Sequence, residues 1–233
     1  MNRLLIPALT AVLTLAAFPA LGASRLNVLF ITADDLGLQV SSYGETLIRT
    51  PNIDRLAASG VRFEVAYTAQ ASCSPSRSAM FTGLHTHATG QYGLTNANFQ
   101  LHPDLVDKTI PAQLKKAGYR TGILGKLHVN PEPTLPFDAR RTDSAFTRRL
   151  REVASDAYNV LQETRSQPFF LMVNYSDPHA FRNADAVGGW DFPPQVDGLP
   201  ANPLQPGERT LFGWQGIDTP LQRDRTANYF NAV

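Results

Sequence analysis

The sequence predicts an α/β protein with a mostly parallel central sheet flanked by helices. Two observations favour this fold class. Short apolar runs typical of buried strands alternate along the chain with capped helical segments. Such alternation implies crossover connections, and crossovers place neighbouring strands parallel to one another. The length of 233 residues suits one domain with an appendage.

Four segments are predicted to be strands. The first, 27–32, is a continuous apolar run and is expected to be a central strand buried on both faces. The others follow predicted helices and span residues 61–67, 119–124 and 169–174.

Four helices are predicted from their caps and breakers. The clearest begins at Pro51, with Thr50 as its cap, and ends at Gly60. The others span residues 75–81, 109–116 and 144–164. From Asn183 onward Gly, Pro, Asp and Asn dominate, which predicts a long surface insertion near a functional site. The last residues, from Ala227, are expected to open a helix.

Residues 1–22 have the pattern of a cleavable signal peptide. Arg3 is followed by an apolar run from Leu4 to Phe18 and then by small residues up to Ala23. The apolar run is too short for a stable membrane span, so the protein is expected to be secreted or periplasmic. The folded part is expected to comprise residues 23–233.

Charge and cysteine content narrow the possible functions. The formal net charge is +1, so nothing favours a nucleic-acid partner. A basic cluster at 140–141 and 148–151 is interpreted as a solvated helix face. Cys73, the single cysteine, cannot form an internal disulfide. It is therefore a buried thiol, an intermolecular link or a reactive residue.

Polar side chains follow several predicted strands, at the edge where α/β sheets bind ligands. They are Asp34 and Asp35, Lys126 and His128, and Asp177 and His179, while Cys73 precedes a helix. One such residue alone is more often a structural histidine or a solvated turn. Their shared placement predicts a common site.

Each residue type has a use in such a site. Adjacent carboxylates are ligands for Ca²⁺, and both are expected to be replaceable without loss of the fold because they have no apolar packing role. A helix N-terminus with Arg77 one turn later suits a tetrahedral oxyanion. Lys126 adds positive charge, and His128 and His179 are candidates for proton transfer. The pattern indicates metal-assisted hydrolysis of a sulfate or phosphate ester.

The segment Cys73-Ser74-Pro75-Ser76-Arg77 resembles the Cys-X-Pro-X-Arg signature of the sulfatase family. Further strings similar to family blocks cover most of residues 26–180. They are Asp34-Asp35-Leu36-Gly37, Thr50 to Ala57, Gly118 to His128 and Asp177-Pro178-His179. Leu127 departs from the usual family pattern. The resemblance implies an alkaline-phosphatase/sulfatase-like fold.

The resemblance also implies the cofactors and the chemistry. A maturation enzyme would convert Cys73 to formylglycine, and one Ca²⁺ would be bound by Asp34, Asp35 and the modified residue 73. One hydroxyl of the hydrated aldehyde attacks sulfur, and the other expels sulfate afterwards, which an ordinary serine could not do. Arg77 would hold the formylglycine, Lys126 and His179 would bind sulfate, and His128 would assist the diol. His179 is expected to protonate the leaving group.

Several strings are similar to the heparan N-sulfatase (sulfamidase) branch. They are Cys73 to Arg77, Thr82 to His87 with Gly90 to Leu94, Lys126 to Glu132 with Pro136 to Asp138, and Asp177 to Ala180. This implies a sulfated amino sugar of the glycosaminoglycan type, cleaved at its S–N bond. His87 is either part of the sugar pocket or an exposed loop histidine.

Two alternatives remain at this point. One is a phosphate or phosphonate ester hydrolase of the same superfamily, and the other is a non-catalytic glycan-binding fragment. In the family a later Asp-Asn pair completes the calcium site, and no Asp-Asn dipeptide occurs here. The chain is therefore expected to be the N-terminal portion of a sulfatase catalytic domain, incomplete at its C-terminus and inactive alone.

Overall fold

A parallel sheet forms the centre of the molecule. The computed structural model describes residues 25–163, 166–192 and 201–233, so the predicted signal peptide lies outside the described residues. The sheet has four strands in the order β1-β4-β2-β3, all parallel. They are β1 (Val28–Asp34), β2 (Arg120–Gly125), β3 (Ala139–Arg141) and β4 (Phe169–Pro178). This arrangement confirms the predicted α/β class.

Helices connect and flank the strands. Those described are α1 (Pro51–Ser59), α2 (Cys73–Thr82), α3 (Thr86–Thr89), α4 (Ile110–Lys116), α5 (Leu150–Glu163) and α6 (Pro220–Asn231). Short 3₁₀ helices lie between them at Ser41–Tyr43, Thr95–Ala97, Pro103–Lys108, Glu132–Thr134, Phe146–Arg148 and Val187–Gly189. In the described part of the chain, no helix combines the length and apolarity needed to cross a bilayer.

The core lies on both faces of the sheet. Successive residues of a strand point to opposite faces, and β4 is apolar at every position from Phe169 to Val173. Phe170 and Met172 pack into one cluster with Phe81 of α2, whereas Leu171 and Val173 pack into a second with Val153 of α5. β4 is therefore the buried central strand that positions the residues following it.

The structure corrects two strand predictions. β1 is an edge strand, because no strand of the described residues pairs with its outer side, and Leu29 and Ile31 are 46% and 56% exposed. The segment 61–67 is not a strand, although its apolar residues alternate; Phe63 is 69% exposed and Tyr67 is 92% exposed. Alternation favours an extended chain, but a strand also needs a neighbour that accepts its hydrogen bonds.

The described part of the chain from Asn183 onward contains a strand and a helix. A small antiparallel hairpin pairs β5 (Phe181–Arg182) with β6 (Trp190–Asp191). The final helix, α6, begins at Pro220 rather than at Ala227, with Thr219 as its cap. The Thr219 side chain accepts a hydrogen bond from the N–H of Gln222 at 3.2 Å. The hairpin and α6 both lie beside the carboxyl end of β1, because Trp190 lines a cavity with Asp35 and Tyr229 lines another.

Candidate active site

The carboxyl end of β1 carries two aspartates in different surroundings. A register shift between Ala33 and Asp34 ends the regular pairing with β4, and Asp35 has a left-handed backbone with φ of 60°. Asp34 is 6% exposed, whereas the side chain of Asp35 is 59% exposed. The chain reversal at Asp35 therefore places one carboxylate in the interior and the next at the surface of the same site.

A glycine at the end of β2 allows the backbone to place Lys126 in this site. Gly125 has φ of 88°, and a Cβ at this position would lie 1.9 Å from the carbonyl oxygen of Asn174. Only glycine allows this approach, which lets the N–H of Lys126 donate to Asn174 O at 2.9 Å. The Lys126 ammonium then forms an ion pair with Oδ2 of Asp34.

Helix α2 contributes Cys73 and Arg77. Cys73 is the first residue of the helix and Arg77 lies one turn later, with 5% of its surface exposed. Arg77 donates to Oδ1 of Asp34 at 3.1 Å and to the carbonyl oxygen of Lys126 at 2.8 Å. One guanidinium thus joins the ends of β1 and β2 to the helix that carries the cysteine.

The charges around Asp34 keep it ionised. Burial alone raises the pKa of this carboxyl, but the charges and hydrogen bonds of Lys126 and Arg77 outweigh burial and hold the pKa below its ordinary value of 3.8. For Asp177 burial is the larger effect. It raises the pKa above 3.8, although the charges of Arg148 and His179 lower it. The site therefore contains a buried anion neutralised by two cations.

His179 reaches the site from the end of β4. Its Nε2 atom lies 3.6 Å from Oδ2 of Asp35 and 4.0 Å from Oδ2 of Asp34. Its Nδ1 atom contacts the carbonyl oxygen of Ala180, and its ring meets the ring of Trp190 edge-on, with centroids 6.2 Å apart. These contacts orient the imidazole so that Nε2 faces both aspartates.

Arg148 holds the His179 segment in place, and the sequence interpretation of this arginine as part of a solvated helix face is wrong. From the 3₁₀ helix Phe146–Arg148, it pairs with Asp177 and donates to the carbonyl oxygens of His179 at 3.0 Å and Ala180 at 3.3 Å. A buried aspartate needs a cationic partner, so Asp177 was the signal that could have pointed to it. Sequence spacing gives no means of choosing among the clustered arginines.

Four potential metal ligands converge next to a cavity. One ligand atom from each of Asp34, Asp35, Cys73 and His179 lies within 4.8 Å of the others. The cavity has a volume of about 840 Å³, and Asp34, Asp35, Cys73, Arg77 and His179 line it. Sequence reasoning did not single out Trp190, Gln70 and Met80, which line it as well. We call this space the catalytic cavity.

The donor chemistry of this group depends on residue 73. Carboxylate oxygens suit Ca²⁺, whereas a thiolate with an imidazole is more typical of zinc. An oxygen function in place of the Cys73 sulfur would make the three ligands predicted from the sequence, at 34, 35 and 73, an all-oxygen set. The residues present therefore fit a calcium ion once residue 73 carries oxygen.

Four predicted residues lie outside this four-residue group: Arg77 and Lys126, which bind Asp34, and His128 and His87. His128 has a left-handed backbone with φ of 56°, and its Nδ1 atom is buried without a hydrogen-bond partner among the described residues. His87 is exposed on α3, where its ring stacks on His85 with centroids 6.0 Å apart. His87 does not line the catalytic cavity in the described structure. Its role in binding sugar stays a prediction.

The family model for sulfatases, described as "Sulfatase", matches residues 26–231. The chain belongs to the sulfatase family. The match covers every residue of the site described above, including Arg77, Lys126 and His179. It also extends beyond residue 180, so the hairpin and the whole of α6 belong to the matched region.

Named relatives act on sulfated sugars. The chain is 37% identical over 158 residues to human N-sulphoglucosamine sulphohydrolase, across 66% of this chain and 32% of that protein. It is 42% identical over 126 residues to N-acetylgalactosamine-6-O-sulfatase of Bacteroides thetaiotaomicron, across 53% of this chain and 25% of that protein. The chain thus matches a quarter to a third of the length of these curated relatives.

A solved structure shows the same fold. It is 30% identical to this chain, with a TM-score of 0.59 over 67% of this chain and 35% of the solved one. That protein is in complex with its substrate, D-glucosamine-2-N,6-O-disulfate. The parallel sheet and its flanking helices are therefore those of the sulfatases.

Proposed function

We propose that this chain carries the nucleophile and the anion-binding residues of a sulfatase that acts on sulfated amino sugars. The observation that supports it is the convergence of Asp34, Asp35, Cys73 and His179 within 4.8 Å, at one end of a parallel sheet. Arg77 and Lys126 add two cations to the same point. A helix N-terminus, two cations and a proton carrier are what cleavage of an anionic sulfate requires.

The proposed metal is one Ca²⁺, held by Asp34, Asp35 and residue 73. When bound, it would supply positive charge that draws an anionic sulfate group toward the nucleophile. The two carboxylates are the hard oxygen donors that calcium prefers. Calcium takes about six to eight oxygens, so ligands in addition to these three complete the proposed site.

Residue 73 is proposed to be formylglycine made from Cys73 by a maturation enzyme. Its hydrate would supply one hydroxyl that replaces the sugar oxygen or nitrogen on sulfur, and the second hydroxyl would lose its proton and re-form the aldehyde as sulfate leaves. The chain places this residue at the first turn of α2, where backbone N–H groups and the helix dipole favour negative charge. Cys73 is partly exposed and lines the catalytic cavity, so substrate can reach it.

The neighbouring residues have distinct proposed tasks. Arg77 orients residue 73 from the next turn of α2, and Lys126 with His179 binds the sulfate oxygens. His179 also gives a proton to the leaving nitrogen or oxygen, a role that its Nε2 position toward the cavity supports. His128, whose Nδ1 has no hydrogen-bond partner in the described part of the chain, assists the hydrate.

The proposed substrate is a sulfated amino sugar, with cleavage of either S–N or S–O bonds. Human N-sulphoglucosamine sulphohydrolase and N-acetylgalactosamine-6-O-sulfatase of B. thetaiotaomicron support this substrate class. Export by the signal at residues 1–22, which lies outside the described residues, would place the protein where such glycans occur.

Coexpression with a formylglycine-generating enzyme tests the proposal. Mass spectrometry of the peptide containing residue 73 should show the aldehyde. Calorimetry should then show binding of D-glucosamine-2-N,6-O-disulfate that is lost in Lys126→Met and kept in Lys108→Met, an exposed lysine elsewhere. An unmodified thiol under these conditions, or binding that does not depend on Lys126, would overturn the proposal. A matched phosphate ester as ligand separates sulfate from phosphate specificity.

A further inference from the structure

A second cavity adjoins the catalytic cavity. It has a volume of about 660 Å³ and lies between α6 and the chain that follows β1. Asp35 and Gly37 line both cavities. A ligand that extends from the catalytic cavity past Asp35 would therefore enter this second space.

The second cavity is walled by aromatic rings, and we call it the aromatic cavity. The rings that line it are Phe192, Phe212, Trp214 and Tyr229. Trp214 is 80% exposed and stacks nearly parallel on Phe212, with centroids 5.3 Å apart and an angle of 7°. Phe212 stacks in turn on buried Phe230 at 5.7 Å. The exposed indole is thus supported from behind and presents a flat apolar face.

Polar groups in the same cavity have unused hydrogen-bonding capacity. Gln39 accepts a hydrogen bond from the Tyr229 hydroxyl at 3.0 Å through Oε1, and no described residue accepts from its Nε2. The side-chain amide of Gln222 makes no hydrogen bond within the described part of the chain. The Nε atom of Arg225 is buried, lies 3.7 Å from Oδ1 of Asp191 and makes no hydrogen bond among the described residues.

We infer that the aromatic cavity binds the pyranose ring next to the sulfated sugar of an oligosaccharide. This inference rests on the proposed function and extends it from one sugar to two. The electron-rich face of an indole attracts the polarised C–H groups on the flat side of a pyranose. Amide side chains match the hydroxyl groups around the ring edge. The volume falls in the range of roughly 300–1,000 Å³ usual for small-ligand sites.

Binding of an unsulfated probe tests the aromatic cavity without the sulfate site. Isothermal titration calorimetry of the full chain with an unsulfated glucosamine disaccharide should detect binding. Trp214→Ala should weaken it at least tenfold, and Gln222→Ala should weaken it severalfold. Trp214→Phe should keep most of the affinity, since it retains a flat ring. Tyr158→Ala, which removes a ring that is 62% exposed on α5, should leave the affinity unchanged.

The outcomes separate this inference from the proposed function. No binding of the unsulfated disaccharide, or equal binding by Trp214→Ala and the unaltered chain, would overturn the sugar site. Binding of D-glucosamine-2-N,6-O-disulfate to the unaltered chain, with residue 73 converted to the aldehyde, reports on the catalytic cavity. Loss of that second signal with retained disaccharide binding would overturn the proposed function and leave the sugar site standing.

Discussion

Asp34 and Asp35 are neighbours in the sequence with different physical roles. Asp34 is buried and bound by Arg77 and Lys126, so it neutralises two cations that would otherwise be desolvated and unpaired. Asp35 is mostly exposed, so water solvates its charge. The sequence predicts that both carboxylates can be replaced without loss of the fold; from these contacts we expect a small effect for Asp35 and a large loss of stability for Asp34.

Asparagine substitutions should separate these two roles. Asp34→Asn removes the only carboxylate among the described residues that contacts buried Arg77, and it should lower the free energy of unfolding by about 3–5 kcal/mol. Asp35→Asn should change it by no more than about 0.5 kcal/mol, since the position is exposed and asparagine tolerates a left-handed backbone. Urea denaturation of the metal-free chain measures both. Equal destabilisation would show that the buried ion network is not what distinguishes them.

Arg148 gives a second test at this scale. Arg148→Met leaves Asp177, whose side chain is 4% exposed, as an unpaired buried carboxyl and frees the carbonyls of His179 and Ala180. The free energy of unfolding should fall by about 3–5 kcal/mol.

The adjacent arginine is a matched control for this substitution. Arg149→Met removes a side chain that is 47% exposed and pairs with Glu152 at the surface, so it should change stability by about 0.5 kcal/mol or less. Urea denaturation compares the two variants. If both arginines proved equally dispensable, Arg148 would be the surface residue that the sequence pattern indicates.

At the scale of helices and strands, local signals predicted well and long-range pairing did not. Helix α1 lies between Thr50 and Gly60, as predicted, although the Thr50 side chain makes no capping hydrogen bond in the described residues. Helix α2 ends at Gly83, whose left-handed backbone suits glycine. The segment 61–67 has a strand pattern but lacks a paired neighbour in the described residues. The short β3 has too few residues to show any period.

Asp138, which directly precedes β3, joins β2 to α4 and gives the stability of this contact a pH dependence. Its Oδ2 atom accepts from the Thr121 N–H of β2 at 2.9 Å and from the Thr121 hydroxyl at 3.1 Å, while Lys115 of α4 pairs with Oδ1. Burial raises the pKa of Asp138, but these hydrogen bonds outweigh it and hold the pKa below 3.8. The ionised form is thus favoured in the folded state.

Asp138→Ala should lower the free energy of unfolding by about 1.5–3 kcal/mol at neutral pH. Because the folded pKa lies below the unfolded value, the contribution is fully present above pH 3.8 and is lost as pH falls through the folded value. The difference in free energy of unfolding between Asp138→Ala and the unaltered chain should therefore become smaller in acid. Denaturation curves at pH 7 and near pH 3 measure this. Asp104→Ala, at an exposed pair, should show no such narrowing.

Across the whole molecule, the sequence predicted which residues come together after the strands better than it predicted the residues that pack around them. Residues placed directly after strands converge because parallel strands end at one edge, which is how Asp34, Lys126 and His179 were predicted together. Arg148 and the aromatic cavity depend on how distant segments pack. The contact of Tyr229 with the Asp35 carbonyl spans most of the chain, and no local pattern encodes it.

The described surface also carries exposed apolar side chains on β1 and in the segment 61–67. Leu29 and Ile31 lie on its exposed face, and Val61, Phe63, Val65 and Tyr67 are each more than 65% exposed. Large apolar patches and unpaired strand edges promote association. In the described part of the chain, no strand or helix covers these residues.

The purified 233-residue chain should therefore self-associate through β1. Its apparent mass in size-exclusion chromatography with light scattering should rise with concentration, and it should bind a hydrophobic dye. Ile31→Lys places a charge at the centre of the exposed edge and should reduce both signals, because a lysine there opposes strand pairing between molecules. Tyr158→Lys, a charge on the exposed surface of α5, should reduce neither. A monomer at all concentrations, or an equal effect of both lysines, would show that the β1 edge is not the associating surface.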